Sequence, residues 1–169
     1  MTLKEVFVAL GGNIGDVPSV LKSALKKLKA LPEICDLKTS RFYKTTPVSD
    51  LPQEPYVNAV CSFNTTFSAC ELLAVLQKIE RDFGKTAKPK NHPRKIDLDI
   101  LFYSHEKINT PDLEIPHPRW KERLFVLVPL SDLVEQIDVP EAEGVVRQDL
   151  SALLKDFVNI YNETVILLT

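Results

Sequence analysis

Apolar residues recur at two spacings along this chain, and the changes of spacing mark its elements. Residues 5–10, reading EVFVAL, are a short apolar run of strand length. A glycine turn over 11–16 follows. A helix then starts near Pro18, which suits a first turn, with Asp16 as its cap and a stripe of Leu21, Ala24, Leu25, Leu28 and Leu31. Strands are predicted near 36–45 and 56–65, joined by a proline-rich loop from Pro47 to Pro55. The second helix opens on a capping box, Ser68 with Glu71; its stripe is Leu72, Leu73, Leu76, Ile79 and Phe83, and Gly84 stops it. After a basic loop, Ile96, Leu98, Ile100 and Phe102 alternate at period two and predict a strand. Beyond it lie a second proline-rich loop (Pro111 to Pro118), short helices near 129–135 and 151–157, and an apolar run from Thr164 to Leu168 that could be a strand.

The order strand, helix, strand, strand, helix, strand is that of a ferredoxin-like α+β fold: a βαββαβ core, an antiparallel sheet with helices packed on it, and here a C-terminal extension. With 169 residues and no repeat, residues 1–169 read as a single domain. The net charge of −2 argues against a nucleic-acid partner. No apolar run approaches 20 residues, and the N-terminus lacks signal-peptide features, so a cytoplasmic protein with no membrane partner is expected. Cys35, Cys61 and Cys70 show no paired spacing and are expected to be reduced and mostly buried.

The candidate chemistry centres on Asp97 and Asp99. Two residues apart on a strand, both carboxylates project from one face, with Cα atoms about 6.6 Å apart. Two carboxylates so placed repel unless a cation joins them, and magnesium held together with substrate phosphates fits. An acidic solvent-facing strand is the lesser alternative for the pair alone. The preceding loop carries Lys85, Lys88, Lys90, Arg94 and Lys95, the cations a polyphosphate needs beside a metal. The glycine turn matches neither a Walker loop nor a complete dinucleotide fingerprint, which favours a tight turn over a ligand loop. His117, Arg119 and Arg123 adjoin an apolar stretch and fit equally an anion site or a loop feeding a buried element. Trp120 reads as packing. Asn58 could read a heterocycle edge, although from this residue alone a solvent-facing strand position is the better reading.

Five segments in this order resemble the 6-hydroxymethyl-7,8-dihydropterin pyrophosphokinase family: residues 9–16 (ALGGNIGD), 40–47 (SRFYKTTP), 56–59 (YVNA), 93–101 (PRKIDLDIL), and 115–119 (IPHPR) with 123–127 (RLFVL). The resemblance spans roughly residues 5 to 133. It implies a kinase-type transferase of folate biosynthesis that moves the β,γ-pyrophosphoryl group of ATP to the pterin hydroxymethyl oxygen, releasing AMP. It further implies that Asp97 and Asp99 hold two magnesium ions on ATP. Arg94, His117 and Arg123 would bind the triphosphate, with Gln77, Glu80 and Lys85 near the nucleotide. Arg94, Asp97, Asp99 and Arg123 would form the catalytic group, and Thr45, Val48, Tyr56, Asn58 and Phe125 the pterin pocket. The expected partners are these small molecules, and the expected state is a monomer or weak dimer.

The chain departs from the family's pattern at residues 85–93. Lysines stand where arginines are common, the loop is one residue shorter, and no tryptophan is available to close over the pterin, leaving His92 as its flat ring. A looser lid is expected. Two other classes remain open from the residues: a metal-dependent phosphotransferase or nucleotidyltransferase of different specificity, and a non-catalytic ligand-binding module on the same fold.

Overall fold

A computed structural model describes residues 2–48, 52–86, 92–158 and 162–169. Part of the first proline-rich loop, together with Lys88 and Lys90, lies outside these residues. The chain folds as an α+β protein around one antiparallel sheet. Its strands are β1 (Lys4–Gly12), β2 (Ile34–Thr39), β3 (Tyr43–Thr45), β4 (Tyr56–Thr65) and β5 (Asp97–Tyr103). Two small hairpins follow, β6 (Ile108–Asn109) with β7 (Glu114–Ile115) and β8 (Gln136–Glu141) with β9 (Gly144–Asp149). The last strand, β10 (Val165–Leu167), returns to the main sheet. The sheet runs β10-β3-β4-β1-β5, with β2 also paired to β4. The expected strand over 36–45 is therefore two strands, and the hairpin over 136–149 was not expected at all.

Alternation along β1 explains why the sheet is covered on both faces. Val6, Val8 and Leu10 point to one face, where they meet α1 (Val17–Lys29) and α2 (Ala69–Asp82) through Leu21, Leu28, Leu72 and Leu76. Both predicted caps form: Asp16 accepts from the Ser19 amide, and Ser68 and Glu71 close a capping box. Phe7 points to the other face, where it joins Val60, Leu101, Phe102, Trp120, Val126, Leu127 and Leu130. Trp120 is 4% exposed and meets Phe102 edge-on, so packing is its role.

That second layer is α3 (Leu124–Ser131) and α4 (Leu150–Asp156). The sequence pattern places the first of these near 129–135, but it lies earlier. Pro129, a residue that normally breaks a helix interior, sits inside it. Because α3 is apolar all round, it shows no stripe from which to read its start. Strand β5 departs from strict alternation. Phe7 pairs with Phe102 and Val8 with Ile100, so Leu101 is a bulge and Phe102 turns to the α3 face, away from Leu98 and Ile100. Of the three free cysteines only Cys61 is buried; Cys35 and Cys70 are exposed, against expectation.

Candidate active site

Register places the candidate residues. Gly11, in central strand β1, pairs with Asn58 of β4 on one side and Asp97 of β5 on the other; Ala9 pairs with Asp99. Paired residues share a face. Gly11 and Ala9 thus form the floor of a cavity of about 400 Å³, with the Asn58 amide side chain to one side and both carboxylates to the other. The roof comes from the 117–126 segment: His117, Arg119, Arg123 and Phe125. Gly11 and Gly12 are consequently strand residues rather than part of the expected turn, which only Gly15 enters, at φ +76°.

One half of the cavity is neutral. Asn58 Nδ2 donates to Thr45 Oγ1 at 2.7 Å, which leaves the amide oxygen and the rest of the pocket wall to a ligand. Val48, Tyr56 and Phe125 line the same cavity. The other half is ionic. Arg94 Nη1 lies 2.9 Å from Asp97 Oδ2, and Lys85 Nζ lies 2.6 Å from Asp97 Oδ1. The Asp99 carboxylate carries no hydrogen bond or ion pair to a described residue. Burial, with the Asp97 charge added, pushes its pKa up to about 7.

Three expected nucleotide residues do not line the cavity. Gln77 is exposed on α2. Glu80 is 5% exposed and spends Oε1 on the Leu98 amide and on Lys85 Nζ, both at 2.7 Å. Burial raises the Glu80 pKa against these bonds. Lys85 reaches the site only through Asp97. Burial lowers the Lys85 pKa, but Asp97 and Glu80 outweigh it and hold the ammonium charged.

His117 Nδ1 accepts from the Arg119 amide at 3.1 Å, so the neutral ring carries its proton on Nε2. Burial and the neighbouring Arg123 lower its pKa to about 4. The ring is therefore a neutral donor at physiological pH. An NMR titration of the free protein is expected to show no His117 ionisation above pH 5; a midpoint near 6.5 would contradict this environment.

Sequence reasoning missed two residues that build the site. Asn13 is 7% exposed. Its Nδ2 donates to Gln53 Oε1 (3.0 Å) and the Glu54 carbonyl (2.9 Å), its Oδ1 accepts from the Arg94 amide (2.9 Å), and its own amide donates to the Arg94 carbonyl (2.9 Å). It ties the proline-rich loop to the arginine before β5. Glu163, the second, lines the cavity from beyond the segments that carry the resemblance. The motif residues Arg41 and Tyr43 turn away to Asp132 at the end of α3, where Tyr43 Oη donates at 2.8 Å.

A family model described as 7,8-dihydro-6-hydroxymethylpterin-pyrophosphokinase matches residues 7–135. The 2-amino-4-hydroxy-6-hydroxymethyldihydropteridine pyrophosphokinase of Bacillus subtilis is 39% identical over 132 residues, 78% of this chain and 79% of that protein. The mitochondrial folate synthesis bifunctional protein of Arabidopsis thaliana is 43% identical over 133 residues, 79% of this chain but 24% of that one. The solved structure of wild-type HPPK-DHPS from Plasmodium falciparum with STZ-DHP superposes with a TM-score of 0.63 at 15% identity. It covers 91% of this chain, which spans about two fifths (41%) of that longer one.

Proposed function

This chain belongs to the 7,8-dihydro-6-hydroxymethylpterin-pyrophosphokinase family, and from that premise we propose how its own residues serve the reaction. The activity is transfer of pyrophosphate from ATP to 6-hydroxymethyl-7,8-dihydropterin, giving the pterin diphosphate and AMP, in folate biosynthesis. The observation that carries the residue assignment is the register at Gly11. It sets a neutral hydrogen-bonding pocket and a pair of carboxylates on one cavity floor, two strand spacings or about 10 Å apart. That is the layout for a heterocycle and a polyphosphate lying side by side.

Pterin occupies the neutral half. Phe125 and Tyr56 stack on its faces, Asn58 and Thr45 read its edge, and Val48 closes the wall. Arg94 and Arg123 bind the triphosphate as cations, and His117 donates to it from Nε2. Asp97 and Asp99 would hold two magnesium ions. The donor set suits this metal: two hard carboxylates, that of Asp97 held in place by Lys85 and Arg94, that of Asp99 with no hydrogen bond or ion pair to a described residue, and no third His, Cys, Asp or Glu joining them among the described residues. Such a site is completed by water and substrate phosphates. Magnesium would neutralise charge on the phosphates. The protein aligns the hydroxymethyl oxygen with the β-phosphorus and excludes water; no residue is assigned as general base.

Lys85 acts by holding Asp97 in place, and Glu80 by holding Lys85. The sheet order is compatible with a ferredoxin-like arrangement within a single domain, extended by α4 and β10 at its C-terminal end. No helix among the described residues is long and apolar enough to cross a membrane. We propose a cytoplasmic monomer or weak dimer whose partners are its small-molecule substrates.

The test is product analysis with ATP, magnesium and hydroxymethyl dihydropterin. AMP with a diphosphorylated pterin is expected. ADP or free pyrophosphate as the product would point to a different transferase, and binding without turnover to a ligand-binding module.

A further inference from the structure

Helix α3 carries Phe125 and opens at Arg123, yet it has no cap of its own. Its N-cap residue is Arg123, whose side chain has donors only and makes no capping bond. The exposed end of such a helix needs an acceptor. Glu163 supplies it from 39 residues further along: Oε2 accepts from the Leu124 amide at 3.1 Å. Glu163 is 5% exposed and lines the substrate cavity, and its carboxylate sits in the field of Arg123 and Arg119. A carboxylate so buried is held by cations and amide donors.

The segment after Glu163 is fastened to the other side of the same cavity. The Thr46 amide donates to the Thr164 carbonyl at 3.1 Å, and the Thr164 amide to Thr46 Oγ1 at 2.9 Å. Val165 then pairs with Thr45, and the Leu168 amide donates to the Phe42 carbonyl at 2.9 Å. One short strap therefore joins the strand bearing Thr45 to the helix bearing Phe125. It lies beyond residues 7–135, the stretch the family model matches.

We propose that Glu163 is a positioning residue of this enzyme: by capping α3 from the C-terminal strap it sets Phe125 and Arg123 against pterin and ATP. Without the cap, the first turn of α3 loses its acceptor and the two side chains lose their fixed base. The inference rests on the pterin and ATP assignments above.

Calorimetric titration with hydroxymethyl dihydropterin, together with steady-state turnover, tests it. Glu163→Ala is expected to weaken pterin binding roughly 5-fold, the scale on which one helix cap counts, and to lower kcat by about 10-fold. Glu163→Gln keeps an acceptor oxygen and is expected to stay within about 2-fold of wild type. Ser68→Ala removes the capping box of α2, distant from the cavity, and is expected to lower Tm similarly while leaving both readouts unchanged. Wild-type values in Glu163→Ala would overturn the proposal. So would equal losses in Ser68→Ala, or a Glu163→Gln as impaired as the alanine variant. Should the alanine variant not fold, Glu163→Asp, one methylene short of Leu124, is expected to lose pterin affinity, and its retention would equally overturn the proposal. Failure of the wild-type protein to convert ATP to AMP would instead remove the site assignment itself.

Discussion

Asp99→Asn is expected to lose at least about 10³-fold in turnover and yet to be more stable than wild type without magnesium. The first effect follows from removing one of the two carboxylates proposed to hold the metal, whose charge stabilisation amounts to several kcal/mol. The second follows from the cost of the charge. In the free protein burial and Asp97 raise the Asp99 pKa from 3.8 to about 7. The folded state therefore holds a proton that the unfolded state has released between those two values. Stability is lost as pH rises through that window and stays lost above it. At about 1.4 kcal/mol per unit the penalty is at most about 4 kcal/mol, and water at the cavity mouth reduces it to about 1–3. Asparagine removes the penalty, so Tm with a chelator present should rise by several degrees at pH 8 and hardly at all at pH 4.5. An equal Tm difference at both values, or wild-type turnover, would refute the assignment. Asp97→Asn should lose turnover without this gain, because it strips the partner of Arg94 and Lys85.

Gly12→Ala should cost about 1–3 kcal/mol of stability and roughly 100-fold in turnover. A Cβ at Gly12 would overlap the Lys95 carbonyl oxygen and stand 3.0 Å from the Lys95 carbonyl carbon and 3.3 Å from the Arg94 oxygen. All three are backbone atoms, so no side chain can swing aside. They belong to the segment that positions Arg94 and leads into Asp97. Gly15→Ala provides the contrast. Its Cβ would meet nothing within 4 Å, and only the positive φ is strained, so about 1 kcal/mol and unchanged turnover are expected. Gly11→Ala would instead press on the Asn58 Oδ1 atom and should chiefly weaken pterin binding. Denaturant unfolding and steady-state kinetics on the three variants separate the cases. Wild-type stability in Gly12→Ala would sink the account.

The elements that local chemistry dictates were legible in the chain. Asp16, Ser68 and Glu71 announce their helices because capping is a contact over three residues. Asp97 and Asp99 share a face because a strand alternates whatever surrounds it. The pattern misplaces helix α3 because a helix apolar on all sides has no polar face to give it a period, and it hides the β5 bulge because nothing local distinguishes Leu101 from its neighbours. The 136–149 hairpin escaped notice, with Val145 and Val146 left exposed on its outer strand.

Long-range placement is a different matter. That Glu80 is buried and committed to Leu98 and Lys85, while Gln77 faces solvent, depends on how α2 lies against β5. That Glu163 reaches α3, and Asn13 joins two loops, depends on segments 39 to 81 residues apart. By itself the sequence determined the capped helices, the acidic strand, the reactive residue types and the family they resemble, since these rest on contacts within a few residues or on segments read in order. Only the tertiary structure decided that Gly11 stands between Asn58 and Asp97, that Lys85 pairs with Asp97, and that the C-terminal strap reaches the cavity wall through Glu163. Each depends on register and packing between distant segments, energies that no local pattern encodes.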